Sequence, residues 1–149
     1  MAAGTARLAD GIATVLSHVE DGPDAAMRVL ENSAGSGFGL GTDVAELSAI
    51  GEAATERGIA RHRLGFCLDA AHAWGAGVDL SEPAAIDAFL ADFDARIGLD
   101  RLVMIHLNDS KADRGSHLDR HEHLGAGRIG SAGLAHLLPA RFVFQQRDN

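Results

Sequence analysis

Apolar residues recur at helical spacing from about Thr5 to His18, where Leu8, Ile12, Val15, Leu16 and Val19 share one face. Glu20-Asp21-Gly22-Pro23-Asp24 reads as a turn, and a short apolar run from Met27 to Leu30, ending near Asn32, reads as a strand. A glycine-rich stretch from Ser33 to Gly41 follows. Thr42 or Asp43 then caps a second helix, with Glu46 three residues after Asp43 in the capping-box position. That helix turns Val44, Leu47, Ile50 and Ala54 inward and stops near Gly58. A second strand spans about Leu64 to Leu68. The next helix starts near Ser81-Glu82-Pro83, a cap followed by an early proline, and carries Ile86, Phe89, Leu90 and Phe93 on one face to about Ile97.

A third strand covers about Arg101 to Leu107, followed by a long loop from Asn108 to Gly130 rich in His, Asp and Gly. A short helix, about Ser131 to Leu138, precedes Arg141-Phe142-Val143-Phe144-Gln145, which reads as the start of a fourth strand. Helices alternating with strands in this order demand a parallel sheet. Four strands are too few to close an eight-stranded barrel. The expected fold is therefore α/β, roughly the second half of a TIM (β/α)8 barrel with about four β/α units, forming one partial domain over residues 1–149. Its end, residues 141–149, departs from the pattern, and a half-barrel exposes two strand edges.

With 149 residues the chain is long enough for a real core, and 46% apolar with 23% charged residues is ordinary for a soluble globular protein. No apolar run approaches the roughly 20 residues of a membrane span. Neither the N-terminal residues, which lack a secretory layout, nor the single cysteine point outside the cell, so a cytoplasmic location is expected. The formal net charge of −8 argues against a broad basic face for nucleic acid. Bound cations can neutralise several carboxylates and receive phosphate oxygens, which weakens that argument.

The chemistry gathers where the strands end. The first run leads into Glu31-Asn32, the second into Asp69-Ala70-Ala71-His72, the third into His106-Leu107-Asn108-Asp109, and Asp119-Arg120-His121 follows in the loop. Carboxylates and imidazoles at the C-terminal tips of successive parallel strands are how a β/α barrel builds a site, and this donor set suits zinc or a similar divalent ion. Each residue has a plainer reading. Glu31 could be a solvated carboxylate, Asp69 a helix cap, His106 a satisfied core histidine, and Asp119 and His121 members of a solvated charge run. The series of three strand tips favours ligands. Cys67 has the strand parity of Asp69 and lies two residues deeper, so it reads as barrel interior rather than nucleophile. His117 and His123 read as supporting or substrate-loop residues, and His18, His62 and His136 as surface residues. The glycine loop, lacking a following Lys-Ser/Thr, reads as sharp-turn geometry.

The segments Leu30–Gly37, Gly65–Ala73, His106–Lys111 and Gly115–Gly125 together resemble the endonuclease IV family, in its order and spacing, over about residues 5 to 140. The resemblance implies a TIM barrel holding three zinc ions that cleaves double-stranded DNA 5′ to an abasic site in base-excision repair, usually as a monomer. Carried over by position, Glu31 would bridge two zincs and help activate water. Asp69 and His106 would complete much of the second zinc's shell, and His72, Asp119 and His121 would hold the third. Lys111 and Arg120 would be contacts to backbone phosphates. Two histidine ligands on earlier strands and a final glutamate have no counterpart here, Ala126 stands where the family carries Glu, and Ala70-Ala71 replaces a Thr-Cys pair. The expectation is one to two zincs per chain, with hydrolysis by the isolated chain weak or absent. Association of two half-barrels through their edges is compatible with it. Two rival readings are a metal-dependent sugar isomerase or epimerase on a related barrel, and a truncated gene product without function.

Overall fold

In the computed structural model, which describes residues 2–19, 22, 25–37 and 39–138, three parallel strands form one sheet. They are β1 (Arg28–Glu31), β2 (Leu64–Asp69) and β3 (Leu102–His106), in that spatial order. Helix α1 (Ala2–Ser17) precedes the sheet. Helix α2 (Val44–Glu56) connects β1 to β2; α3 (Ala70–Ala76) and α4 (Pro83–Arg96) connect β2 to β3. A two-residue antiparallel ladder, β4 (Asp109–Ser110) with β5 (His121–Glu122), interrupts the loop before α5 (Gly130–Leu137). The expected fourth strand at Arg141–Gln145 and most of the turn at residues 20–24 lie outside the described residues.

Side chains alternate across the sheet. Leu64, Phe66 and Leu68 point to the helices, where Phe66 and Leu68 pack with Val44, Leu47, Phe93 and Leu102. Phe66 meets Phe93 edge to face with centroids 6.1 Å apart, and the Arg101 guanidinium lies over the Phe66 ring. The opposite parity, Gly65, Cys67 and Asp69, faces what would be the barrel interior. Here Met27, Val103 and Met104 are each nearly half exposed, while β2, flanked on both sides, is buried throughout.

The second helix follows its capping signal. Asp43 Oδ1 accepts the Glu46 N–H at 2.8 Å, and Glu46 Oε2 accepts from Gly41 and Thr42. Val44, Leu47, Ile50 and Ala54 are all buried, as the spacing predicts. Helix α4 begins at Pro83 with Glu82 as its N-cap; Ser81 instead bonds Asp79. Two elements escaped the pattern. The stretch after Asp69 is a helix rather than a loop exit, and the long loop carries the β4–β5 ladder. Both are too short for periodicity to register.

Candidate metal centre

All six residues expected as ligands converge at the C-terminal end of the sheet. Asp69, 1% exposed, sits at the centre. It ends β2 and caps α3, its Oδ1 accepting the His72 N–H at 2.9 Å. The helix-cap reading of Asp69 is therefore correct as far as it goes. The same carboxylate also faces two imidazoles, with Oδ2 3.6 Å from His106 Nδ1 and 3.8 Å from His121 Nε2. Glu31 at the tip of β1 lies 3.1 Å from His106 Nδ1 and 3.3 Å from His72 Nδ1.

Asp119 completes the other side. One of its oxygens is 3.3 Å from His72 Nε2 and the other 3.0 Å from His121 Nε2. A tetrahedral zinc with bonds near 2.0–2.1 Å has ligand-to-ligand edges of about 3.3 Å. Both Asp119 contacts are close to that edge length, and the donor set of imidazole and carboxylate fits such an ion. His72 Nδ1 donates to the Asn32 carbonyl at 2.9 Å, which leaves Nε2 as the ring's outward ligand atom. Burial disfavours charge on His72, but Asp69, the Asn32 carbonyl and Asp119 outweigh it and raise its pKa above the ordinary imidazole value.

Local structure explains how a loop residue reaches a strand tip. Trp74 Nε1 donates to the Ala112 carbonyl, and the N–H groups of Gly115 and His117 bond back to the carbonyls of Trp74 and Gly75. This clamps the loop onto α3. The β4–β5 ladder then pairs Ser110 with His121 and brings the Asp119–His121 arm over His72. At Gly35, with φ +83°, a Cβ would come within 2.7 Å of His117 Nδ1, so the glycine loop is shaped by close approach to the histidine loop.

Two residues beyond the expected set organise the site. Asn32 exchanges two hydrogen bonds with the backbone of Asp69, and Asn108 donates to Asp69 Oδ2 at 2.7 Å while accepting the Ala71 N–H. Their sequence signal is an amide within one or two residues of a strand tip. Asp109, grouped with the metal-binding strand ends by sequence, faces away from the cluster. It is fully buried and accepts N–H groups from Ser110, Gly125, Ile129 and Gly130. Burial alone would raise its pKa; the backbone donors overcome that and lower it.

Cys67 is buried on the interior face, as parity predicts. Burial, with the negative charges of Glu31 and Asp69, pushes its thiol up to about 11. It therefore stays protonated and is a poor nucleophile at neutral pH. Of the expected phosphate contacts, Lys111 lies 3.7 Å from Glu122 and Arg120 bonds the Asp119 carbonyl; both are exposed beside the arm.

The strand-tip cluster on a partial parallel sheet has counterparts among known proteins. The chain belongs to the family described as xylose isomerase-like TIM barrel, whose model matches residues 3–143. Within that fold it matches endonuclease IV proteins, the family its motifs resemble. It is 44% identical over 139 residues to a probable endonuclease 4 of Methanoculleus marisnigri, covering 93% of this chain and 47% of that protein. With the probable endonuclease 4 of Halorhodospira halophila it is 51% identical over 102 residues, covering 68% of this chain and 33% of that one. Among solved structures, endonuclease IV from Thermus thermophilus superposes with a TM-score of 0.63 at 38% identity, over 76% of this chain and 39% of that chain. The chain spans less than half the length of the curated relatives it matches.

Proposed function

We propose that the chain supplies the zinc-binding side of an endonuclease IV-type site, which hydrolyses the phosphodiester bond 5′ to an abasic site in double-stranded DNA. The observation that carries this reading is the convergence of Asp119, His72 and His121 over the buried Asp69 at the strand tips. The endonuclease 4 relatives favour it over sugar isomerisation, which uses similar donors on the same barrel. Zinc bound in such a cluster lowers the pKa of water and offsets charge on phosphate oxygens.

The protein's own groups do the positioning. Asn108 and the α3 cap hold Asp69 so that its outer oxygen stays toward His106 and His121. The Asn32 carbonyl fixes the His72 ring, and the clamped loop brings Asp119 against it. Glu31, partly exposed beside His106 and His72, is placed to take a proton from a water molecule at the cluster. Lys111 and Arg120 flank the arm, where a DNA backbone phosphate would meet them.

The test is zinc content after reconstitution, followed by nicking of a duplex carrying one abasic site. At least one tightly held zinc per chain is expected, with nicking far slower than by a full-length relative. Absence of bound zinc removes the reading. Substituting the corresponding aspartate and histidine in a full-length relative should abolish nicking while leaving the fold intact.

A further inference from the structure

Asp119 owes little to its own contacts. Its carboxylate is 55% exposed and pairs only with the rings of His72 and His121 among the described residues. Its place over the cluster is therefore set by the backbone on either side. On the C-terminal side the ladder fixes that backbone: Ser110 pairs with His121, and the Lys111 N–H donates to the Arg120 carbonyl at 2.9 Å. On the N-terminal side stands His117.

His117 has φ +55°, the one positive value outside glycine among the described residues. A left-handed backbone brings Cβ against the next carbonyl, which most residues avoid, although histidine adopts it more often than most. Two bonds hold it there. Its N–H donates to the Gly75 carbonyl of α3 at 3.0 Å, and its ring Nδ1 donates to the Ala34 carbonyl at 3.1 Å. One residue thereby ties together the segments that follow all three strands: the glycine loop after β1, α3 after β2 and the arm after β3. Both neighbours leave room for it. A Cβ at Gly35 would fall 2.7 Å from His117 Nδ1, and one at Gly75 would fall 3.2 Å from the Leu118 carbonyl. Backbone strain held by bonds on two sides belongs with functional sites more than with ordinary loops.

We propose that His117 is a positioning residue for the candidate metal centre, pinning the backbone so that Asp119 meets the ion together with His72 and His121. It acts through Asp119 and not as a ligand. This role rests on the metal-binding half of the preceding reading and is independent of DNA cleavage.

Zinc titration of the whole chain against a competing chelator tests it through a double-mutant cycle. His117→Ala removes the ring and disfavours the backbone, and should weaken the ion by about 10-fold or more. His117→Asn keeps a donor nitrogen at the same bond distance from Cα as Nδ1 and tolerates positive φ, so it should recover most of that loss. In an Asp119→Ala background, His117→Ala should change the remaining affinity by less than about twofold, since nothing is left to position. Hydrogen exchange on the metal-free chain adds a readout without an ion. There His117→Ala should deprotect the residue 117 amide and leave the Lys111 amide protected, the ladder being intact. Equal losses of affinity with and without Asp119 overturn the proposal, because they mark a general weakening of the fold. So do loss of Lys111 protection, an asparagine no better than alanine, and zinc binding indifferent to His117→Ala. Each of those results leaves the preceding reading standing, whereas a chain that takes up no zinc refutes that reading and this role with it.

Discussion

At the scale of single residues, Asp69 carries the most physical weight. One oxygen caps α3 while the other takes the Asn108 amide and faces His106 and His121. Two substitutions separate these roles. Asp69→Asn keeps an acceptor for the cap but turns an amide against Asn108, costing about 1 kcal/mol. Asp69→Ala loses the cap as well, for about a further 1 kcal/mol. Both should lower zinc affinity by at least about 100-fold, so equal calorimetric losses with unequal melting temperatures are expected. Affinity that tracks stability instead would mean the carboxylate acts only through the fold. The residues of the cluster were legible in sequence because most of them end an apolar run or fall in a paired Asp-x-His. Asn32 and Asn108 were not, since an amide's importance depends on which carboxylate it touches. The role of Asp109, which was outside the six expected ligands, was hidden as well, since only tertiary structure shows its carboxylate turned into the backbone.

At the scale of elements, the helices and strands longer than one turn were legible from spacing, as with Val44, Leu47, Ile50 and Ala54 on α2. Helix α3 and the β4–β5 ladder were not, because seven residues and two residue pairs give no period to read. Asp109 ties β4 to the segment that leads into α5. Asp109→Ala strands several buried N–H groups and should cost about 3 kcal/mol or more by urea unfolding. Gly127→Ala, whose Cβ would fall 2.5 Å from Asp109 Oδ1 and from the Ser110 carbonyl, should cost about 1–3 kcal/mol. The pH dependence has a definite sign. With its folded pKa lowered, Asp109 contributes fully above its ordinary value of 3.8 and loses that contribution only as pH falls through the folded value. His72 runs the other way in the metal-free protein. Its contribution is complete below 6.5 and is lost as pH rises through its raised value, where the neutral ring becomes available to an ion. Imidazole and carboxyl resonances followed by NMR titration should show His72 midpoints above, and Asp109 midpoints below, their ordinary values.

For the molecule as a whole, the sheet presents two kinds of surface. Its helix-facing side is packed, while the interior side shows Met27, Val103 and Met104 to solvent. The partial barrel was legible because alternating elements force a parallel sheet. Which side would stand open was legible only as parity, in Cys67 and Asp69. Replacing Val103 and Met104 together by serine should change unfolding free energy by less than about 1 kcal/mol and raise solubility, as judged by light scattering. A large destabilisation would mean that face is covered. Among the described residues no helix is long and apolar enough to cross a membrane. Zinc at 100 times its dissociation constant should raise stability by about 2.7 kcal/mol, read as a thermal shift that a chelator reverses.

The capped turn at Asp69 also bears on how copies of this sheet are told apart once they diverge. An aspartate there serves the start of α3 whether or not an ion is ever bound, so a lineage that had abandoned chemistry would still be under pressure to keep it. Asp119 is different: its carboxylate stands largely in solvent and meets only the rings of His72 and His121 among the described residues. Nothing in the packing rewards it. Retention of Asp119 is therefore the better witness that a copy still works, and its loss beside an intact Asp69 would mark a scaffold outliving its trade.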